Sequence, residues 1–170
     1  MEHLLLNRDD THTVSVYVTN KPGVLARIAQ VFARRGYNID SLVVSSSIDG
    51  KFSRMTVTAI GNPEGLDQII AQVNKLVDVI HCVDHTGENA VVRELALIKV
   101  GVSSEARAEV LQVAEHFKCK TVDLTENSLI LMATGDTDKV DALVRMMGNY
   151  NVIELVRTGK VVMARGNQET

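Results

Sequence analysis

The chain has 170 residues, 45% of them apolar and 23% charged, with a net charge of −3. Charges of both signs are interspersed, so it lacks the basic footprint of a nucleic-acid binder, and no apolar run is long enough to cross a bilayer as a helix. Two cysteines in this length make no disulfide framework and are expected buried and reduced.

Leu4-Leu5-Leu6 is followed at once by Asn7-Arg8-Asp9-Asp10, too short an apolar run for a secretory leader, so a cytoplasmic location is expected. If the chain folds as two halves of roughly 80 residues, each core is thin, and burial against a partner is expected.

In chain order, Thr13–Thr19 alternates Val14, Val16 and Val18 with polar or aromatic neighbours, the pattern of a half-buried strand. A tight Asn20-Lys21-Pro22-Gly23 loop follows. The helix expected over 23–35 places Leu25, Ile28, Ala29 and Phe32 on one face and Arg27, Gln30 and Arg34 on the other. Gly36 stops it, and a second strand begins at Tyr37. Asp49-Gly50 signals a hairpin into a third strand, Phe52–Ile60. Asn62 is placed to cap a helix with Pro63 at its first position and Leu66, Ile69, Ile70, Val73 and Val77 inward. Val79–His85 reads as a fourth strand, and Gly87-Glu88-Asn89 as a boundary.

The second half repeats this order without repeating the sequence. Leu95–Val102 reads as a strand; Ser103 or Ser104 can cap a helix bearing Ala106, Val110, Val113, Ala114 and Phe117 inward. Cys119–Leu124 and Leu129–Thr134 read as strands. Asp136 or Thr137 starts a helix with Val140, Leu143, Val144 and Met147 inward, and Val152–Arg157 and Val161–Ala164 read as strands about Gly159. The fold class is α+β: two ferredoxin-like βαββαβ modules, over 12–86 and 90–166. Open four-stranded sheets leave edges, and pairing with a second copy is the simplest cover.

The Pro22-Gly23 turn is the chemical centre of this reading. It leaves unpaired N–H groups at a helix N-terminus, where the macrodipole also favours negative charge. A Gly after Pro is also common at any turn needing positive φ, but Asn20 and Asn38 add donors and acceptors suited to a zwitterion. Val24, Leu25 and Ile39 supply apolar surface for a small branched side chain. The site predicted is Asn20, Gly23, Val24, Leu25, Asn38 and Ile39, for a small amino acid.

Other constellations are weaker. His81 and His85 on one strand lie roughly 13 Å apart at 3.3 Å per residue, too far for one zinc, and Cys82 points to the opposite face. No phosphate-binding, dinucleotide or nucleophile-elbow motif is present.

N-K-P-G-V-L-A-R followed by R-G-Y-N-I-D-S-L resembles the ACT regulatory domain and, more narrowly, the regulatory small subunits of acetolactate (acetohydroxyacid) synthase. Ser53-Arg54-Met55-Thr56, Lys75-Leu76-Val77-Asp78-Val79, Arg93–Val100, and Arg157-Thr158-Gly159 before Ala164-Arg165-Gly166 agree in order. The resemblance covers nearly all of the chain beyond its first eleven residues. It implies valine as ligand of the six residues, a homodimer through the N-terminal modules, and a catalytic large subunit as partner. Thiamine diphosphate, magnesium and FAD are expected in that partner and no cofactor in this chain, which is too short for thiamine-dependent machinery. The chain is thus expected to be a non-catalytic regulator. Two rivals share the topology: an acylphosphatase, since Gly23-Val24-Leu25-Ala26-Arg27 resembles its phosphate loop, and an RNA-binding RRM, which needs strand aromatics in a chain with only 4% aromatic residues.

Overall fold

The computed structural model describes residues 10–87 and 89–170; the Leu4–Leu6 run and Glu88 of the expected boundary lie outside it. The chain forms two compact units: one from the residues up to Val91 together with Gly159–Thr170, the other Val92–Thr158.

In the first unit the order is β1 (Thr11–Thr19), α1 (Val24–Arg34), β2 (Asn38–Ser46), β3 (Phe52–Ile60), a 3-10 turn (Pro63–Gly65), α2 (Leu66–Val73) and β4 (Val79–Asp84). The strands lie antiparallel in the order β2-β3-β1-β4. Val14 and Val16 align with Val57 and Met55 across β1 and β3, and together with Val18 and Cys82 they face α1 and α2. Ile28, Phe32 and Ile69 are under 2% exposed, each worth about 1.5–3 kcal/mol of apolar burial.

Two expectations fail here. The buried stripe of α1 is Val24, Ile28, Val31 and Phe32, while Leu25 is 39% exposed. Both stripes fit a 3.6-residue period and differ by a small rotation, which periodicity alone does not fix. Val77 is 95% exposed, not inward. The helix stops at Asn74, whose amide accepts from Cys82 N (2.8 Å) and donates to Cys82 O (3.2 Å), so the chain has left the helical path before Val77. Asn62 does cap: its side chain accepts from Glu64 N at 3.1 Å, starting the 3-10 turn that leads into α2.

The second unit holds β5 (Val91–Gly101), α3 (Ala106–His116), β6 (Lys120–Leu124), β7 (Ser128–Gly135), α4 (Thr137–Met147) and β8 (Asn151–Arg157), with antiparallel strands ordered β6-β7-β5-β8. Asp136 Oδ1 accepts from Lys139 N (2.9 Å), so α4 begins on a side-chain cap, while Ser103 Oγ accepts from Ala106 N (3.2 Å) and closes the turn that leads into α3. Val110, Ala114, Val140, Leu143 and Met147 pack on Ile98, Val100, Leu129 and Leu131. Each sheet carries both helices of its unit on one face, an α+β plan. Edge strand β6 is exposed along its whole length. A last short strand, β9 (Val161–Met163), belongs to the first unit.

Candidate functional site at the first strand-to-helix turn

β1 ends at Thr19, and the turn to α1 is tied down on both sides. Asn20 N donates to Lys51 O (2.8 Å) and its side-chain amide to Gly50 O (3.0 Å), fixing it to the β2–β3 hairpin. Lys21 N donates to Thr19 O at 2.9 Å. Gly23 has φ +82°, the left-handed region, and a Cβ there would meet nothing within 4 Å. Glycine is required by the backbone, and the space before it is open.

α1 starts without a side-chain cap and without an acidic residue in its first turn. Its first N–H groups therefore point outward with the positive end of the macrodipole uncompensated from within the helix. An incoming carboxylate meets donors and a favourable field together.

The six predicted residues divide. Asn20, Gly23 and Asn38 are exposed, Leu25 is 39% exposed, and Ile39 is half-buried against the core. Val24 is 3% exposed and faces the sheet, so it offers its main-chain N–H and not its side chain. Among the described residues the Asn38 amide has no hydrogen-bond partner, and it opens β2 opposite Ile60. Its position is set by the preceding residues. Gly36 turns at φ +75°, and the Tyr37 side chain lies against Gly61 and Gly65, where added Cβ atoms would come within 2.5 Å of its ring and 2.9 Å of its hydroxyl. The Tyr37 hydroxyl donates to Asn62 O, and burial pushes the phenol's pKa up.

Asp78, in the connection before β4, is the residue that pattern reading missed. Thr19 Oγ1 donates to its Oδ1 (3.0 Å), Thr19 N to its main-chain oxygen (2.8 Å), Lys21 Nζ lies 3.5 Å from Oδ1, and Arg27 Nη2 2.6 Å from Oδ2. The Thr19 hydroxyl, with Arg27 and Lys21 behind it, holds the carboxyl below the usual carboxylate range despite its burial. Arg27, the phosphate-binding group an acylphosphatase reading needs, is thus engaged by a carboxylate. The only advance signal for Asp78 was its place in the Lys75–Val79 segment.

Among the described residues no group of three His, Cys, Asp or Glu is placed to hold a metal ion. His81 Nε2 lies 3.0 Å from Thr170 O, His85 Nε2 2.8 Å from Ser15 Oγ, and burial pushes the Cys82 thiol up to about 12. In the second unit an open groove of about 490 Å³ is lined by Glu109, Val113, His116, Phe117, Met146 and Tyr150. It lies by the C-terminal turns of α3 and α4, where the macrodipole opposes a carboxylate.

An antiparallel βαββαβ unit with an open helix N-terminus at its first turn defines an ACT-type domain, and the comparisons agree. Residues 14–81 match the family model described as "AHAS small subunit-like ACT domain", and residues 93–166 the model "Small subunit of acetolactate synthase". The chain is 45% identical to "Probable acetolactate synthase small subunit" of Archaeoglobus fulgidus over 93% of its own length and 99% of the relative's. It is 42% identical to the acetolactate synthase small subunit of Mycolicibacterium smegmatis, with 94% of each chain covered. The crystal structure of the Thermotoga maritima small subunit superposes with a TM-score of 0.82 at 39% identity, over 93% of this chain and 99% of that one. The chain belongs to the acetolactate synthase small-subunit family.

Proposed function

We propose that this protein is the non-catalytic regulatory subunit of acetolactate synthase, docking on a catalytic large subunit, raising its activity and conferring feedback inhibition by valine. Thiamine diphosphate, magnesium and FAD then belong to the large subunit, and the reaction it carries out is cytoplasmic. The domains assigned to these roles are 12–86, for the ligand, and 90–166.

The observation that carries the reading is the start of α1: uncapped, free of acid, opened by a left-handed Gly23 and flanked by the amide of Asn20, while Asn38 lies at the other end of the sheet, on the Ile60 and Thr11 rung. The valine carboxylate takes the first-turn N–H groups, including that of Val24. Asn38 and Ile39, at the far end of the sheet from Gly23, reach this ligand from the second copy of a homodimer, Asn38 supplying an acceptor to the ammonium and Ile39 meeting the isopropyl group with Leu25. Asn20, already donating to Gly50, fixes the loop and keeps its carbonyl oxygen for the ligand.

The strands β2 and β4 are sheet edges, and a homodimer through the first unit covers them. Valine held near that interface stabilises one dimer geometry over another, and the catalytic partner senses the difference as a coupling free energy. Coupling of about 1–3 kcal/mol changes activity or affinity roughly 5- to 150-fold. Calorimetric titration of the full chain with valine, leucine, isoleucine and glycine tests the reading. Valine binds and glycine does not if it is right; no heat with any of the four would overturn it.

A further inference from the structure

The face of the first sheet turned away from its helices is polar yet buried. Thr13, Ser15, Thr56 and Thr58 are each at most 6% exposed, and Thr13 pairs with Thr58, Ser15 with Thr56, across β1 and β3. Residues 159–170 run over this face. Gly159 approaches β2 so closely that a Cβ there would come within 2.5 Å of Ser41 Oγ. Lys160 Nζ reaches Thr13 Oγ1 at 3.5 Å. At the far end Arg54 Nη1 donates to Thr170 O, His81 Nε2 lies 3.0 Å from the same oxygen, and Thr170 Oγ1 accepts from Ala164 N at 2.8 Å. The clamp is itself braced: the Arg54 guanidinium lies 5.1 Å over the Tyr17 ring, which stacks on Phe52 at 5.3 Å and meets His81 at 5.4 Å.

We propose that residues 159–170 form a strap latched reversibly by Arg54 and His81, and that this latch is coupled to the ligand loop at α1. The coupling rests on the valine reading above; the latch does not.

The strap has little apolar anchorage. Val162 is buried, but Val161 is 48% and Met163 65% exposed, and 165–169 are exposed throughout. The hydroxyls beneath it suit water as well as they suit the strap, and Thr58 Oγ1 has no partner among the described residues. Within the strap β9 is sheet-paired, but beyond it residues 164–170 are held over the polar face by a few polar contacts and open at low free energy, so the clamp at Thr170 decides the population of that end. The coupling follows from the strands. Tyr17 stands three residues from Asn20 on β1, Arg54 three from Lys51 at the head of β3, and His81 three from Asp78 at the head of β4, each roughly 10 Å along its strand. The three strand ends that hold the ligand loop through Asn20, Lys51 and Asp78 are those that carry the clamp. A ligand that orders the loop therefore also biases the clamp.

Hydrogen exchange on the full chain, read by mass spectrometry for peptides covering 160–170 and 13–19, tests this. Arg54→Met raises exchange at Ala164, whose amide donates to Thr170, at least tenfold and leaves 13–19 protected; Gly159→Val, wedging the strap against Ser41 from its other end, does the same; Arg165→Ala, at an exposed position, changes neither. In calorimetry Arg54→Met alters valine affinity at least threefold. Parent-like exchange in both Arg54→Met and Gly159→Val overturns the latch. Faster exchange with unchanged valine affinity overturns the coupling. If the parent binds no valine, the loop reading fails and the coupling with it, while the exchange data still decide the latch.

Discussion

Asp78 holds Arg27 through a 2.6 Å ion pair, and the same carboxylate takes a hydrogen bond from Thr19 at the other side of the turn. One residue from the entry to β4 thus joins the end of β1 to the first turn of α1. The pair also neutralises the cation nearest the helix start, so the attraction for an anion there comes from main-chain N–H groups and not from a guanidinium.

Asp78→Asn keeps the Thr19 contact and removes the charge. In the parent, the Asp78 carboxyl titrates lower folded than unfolded, so its stabilisation is complete above the ordinary carboxylate range and is lost as pH falls through the depressed folded value. Urea unfolding between pH 3 and 7 should therefore show a shallower acid limb in the variant, with the two chains converging at the lowest pH. Parallel profiles would show that Asp78 contributes nothing through its charge.

Gly23 separates backbone strain from ligand electrostatics. Its φ of +82° disfavours any side chain by about 1–2 kcal/mol, with Asn and Asp the best tolerated. Gly23→Asn and Gly23→Asp should lose similar stability, measured by urea midpoint, since a Cβ meets no neighbour there. Only Gly23→Asp places a carboxylate where the ligand's own belongs, and it should abolish valine binding while Gly23→Asn weakens it. Equal valine affinity in Gly23→Asp and parent would move the site elsewhere.

How much of this was legible in the sequence follows from the range of each interaction. β3 over Phe52–Ile60, the caps at Asn62 and Asp136 and the turn at Ser103 are local, and the residues that make them are contiguous. The choice between Leu25 and Val24 as the inward residue is a matter of helix rotation set by the sheet, and periodicity is nearly blind to it. Asp78 and Arg27 are 51 positions apart, and nothing in either neighbourhood marks the other. The clamp between Arg54 and Thr170 spans 116 positions and is equally silent. The open start of α1, by contrast, was readable, because a bare N-terminus is a property of its own few residues.

Glu94 and Arg157 show why two of the family-like segments lie where they do. Glu94 is buried on β5, accepts from Arg157 Nε at 2.6 Å and from Thr137 Oγ1 at 2.6 Å, and Arg157 reaches on to Asp141 at 2.6 Å. Burial works against the guanidinium charge, but the bonds to Asp141 and Glu94 outweigh it and hold Arg157 ionised. Glu94→Ala should cost about 3 kcal/mol, the low end for breaking a buried pair because Asp141 remains. The double variant Glu94→Leu, Arg157→Met should recover part of the loss, since the buried Glu94 charge and its guanidinium go together and the Asp141 carboxylate, 15% exposed, is the one left to solvent. A double variant less stable than the single one would mean the network is cooperative beyond its charges.

Regulator and enzyme are separated by reconstitution. Alone, the chain should hydrolyse no acetyl phosphate and condense no pyruvate: Arg27 is held by Asp78, and Ser15 with His85, the one buried serine–histidine contact among the described residues, is 1% and 6% exposed and closed to substrate. Mixed with its catalytic large subunit, the chain should raise acetolactate formation, and valine should then lower it. Asn38→Ala removes an exposed amide that has no hydrogen-bond partner among the described residues, so the fold and the activation should persist while the valine response falls at least tenfold, corresponding to about 1.4 kcal/mol of lost ligand contact. Loss of activation and valine response together would place Asn38 in partner docking and overturn the division of roles. Acetyl phosphate turnover by the isolated chain, abolished in Arg27→Ala, would instead make the protein a hydrolase.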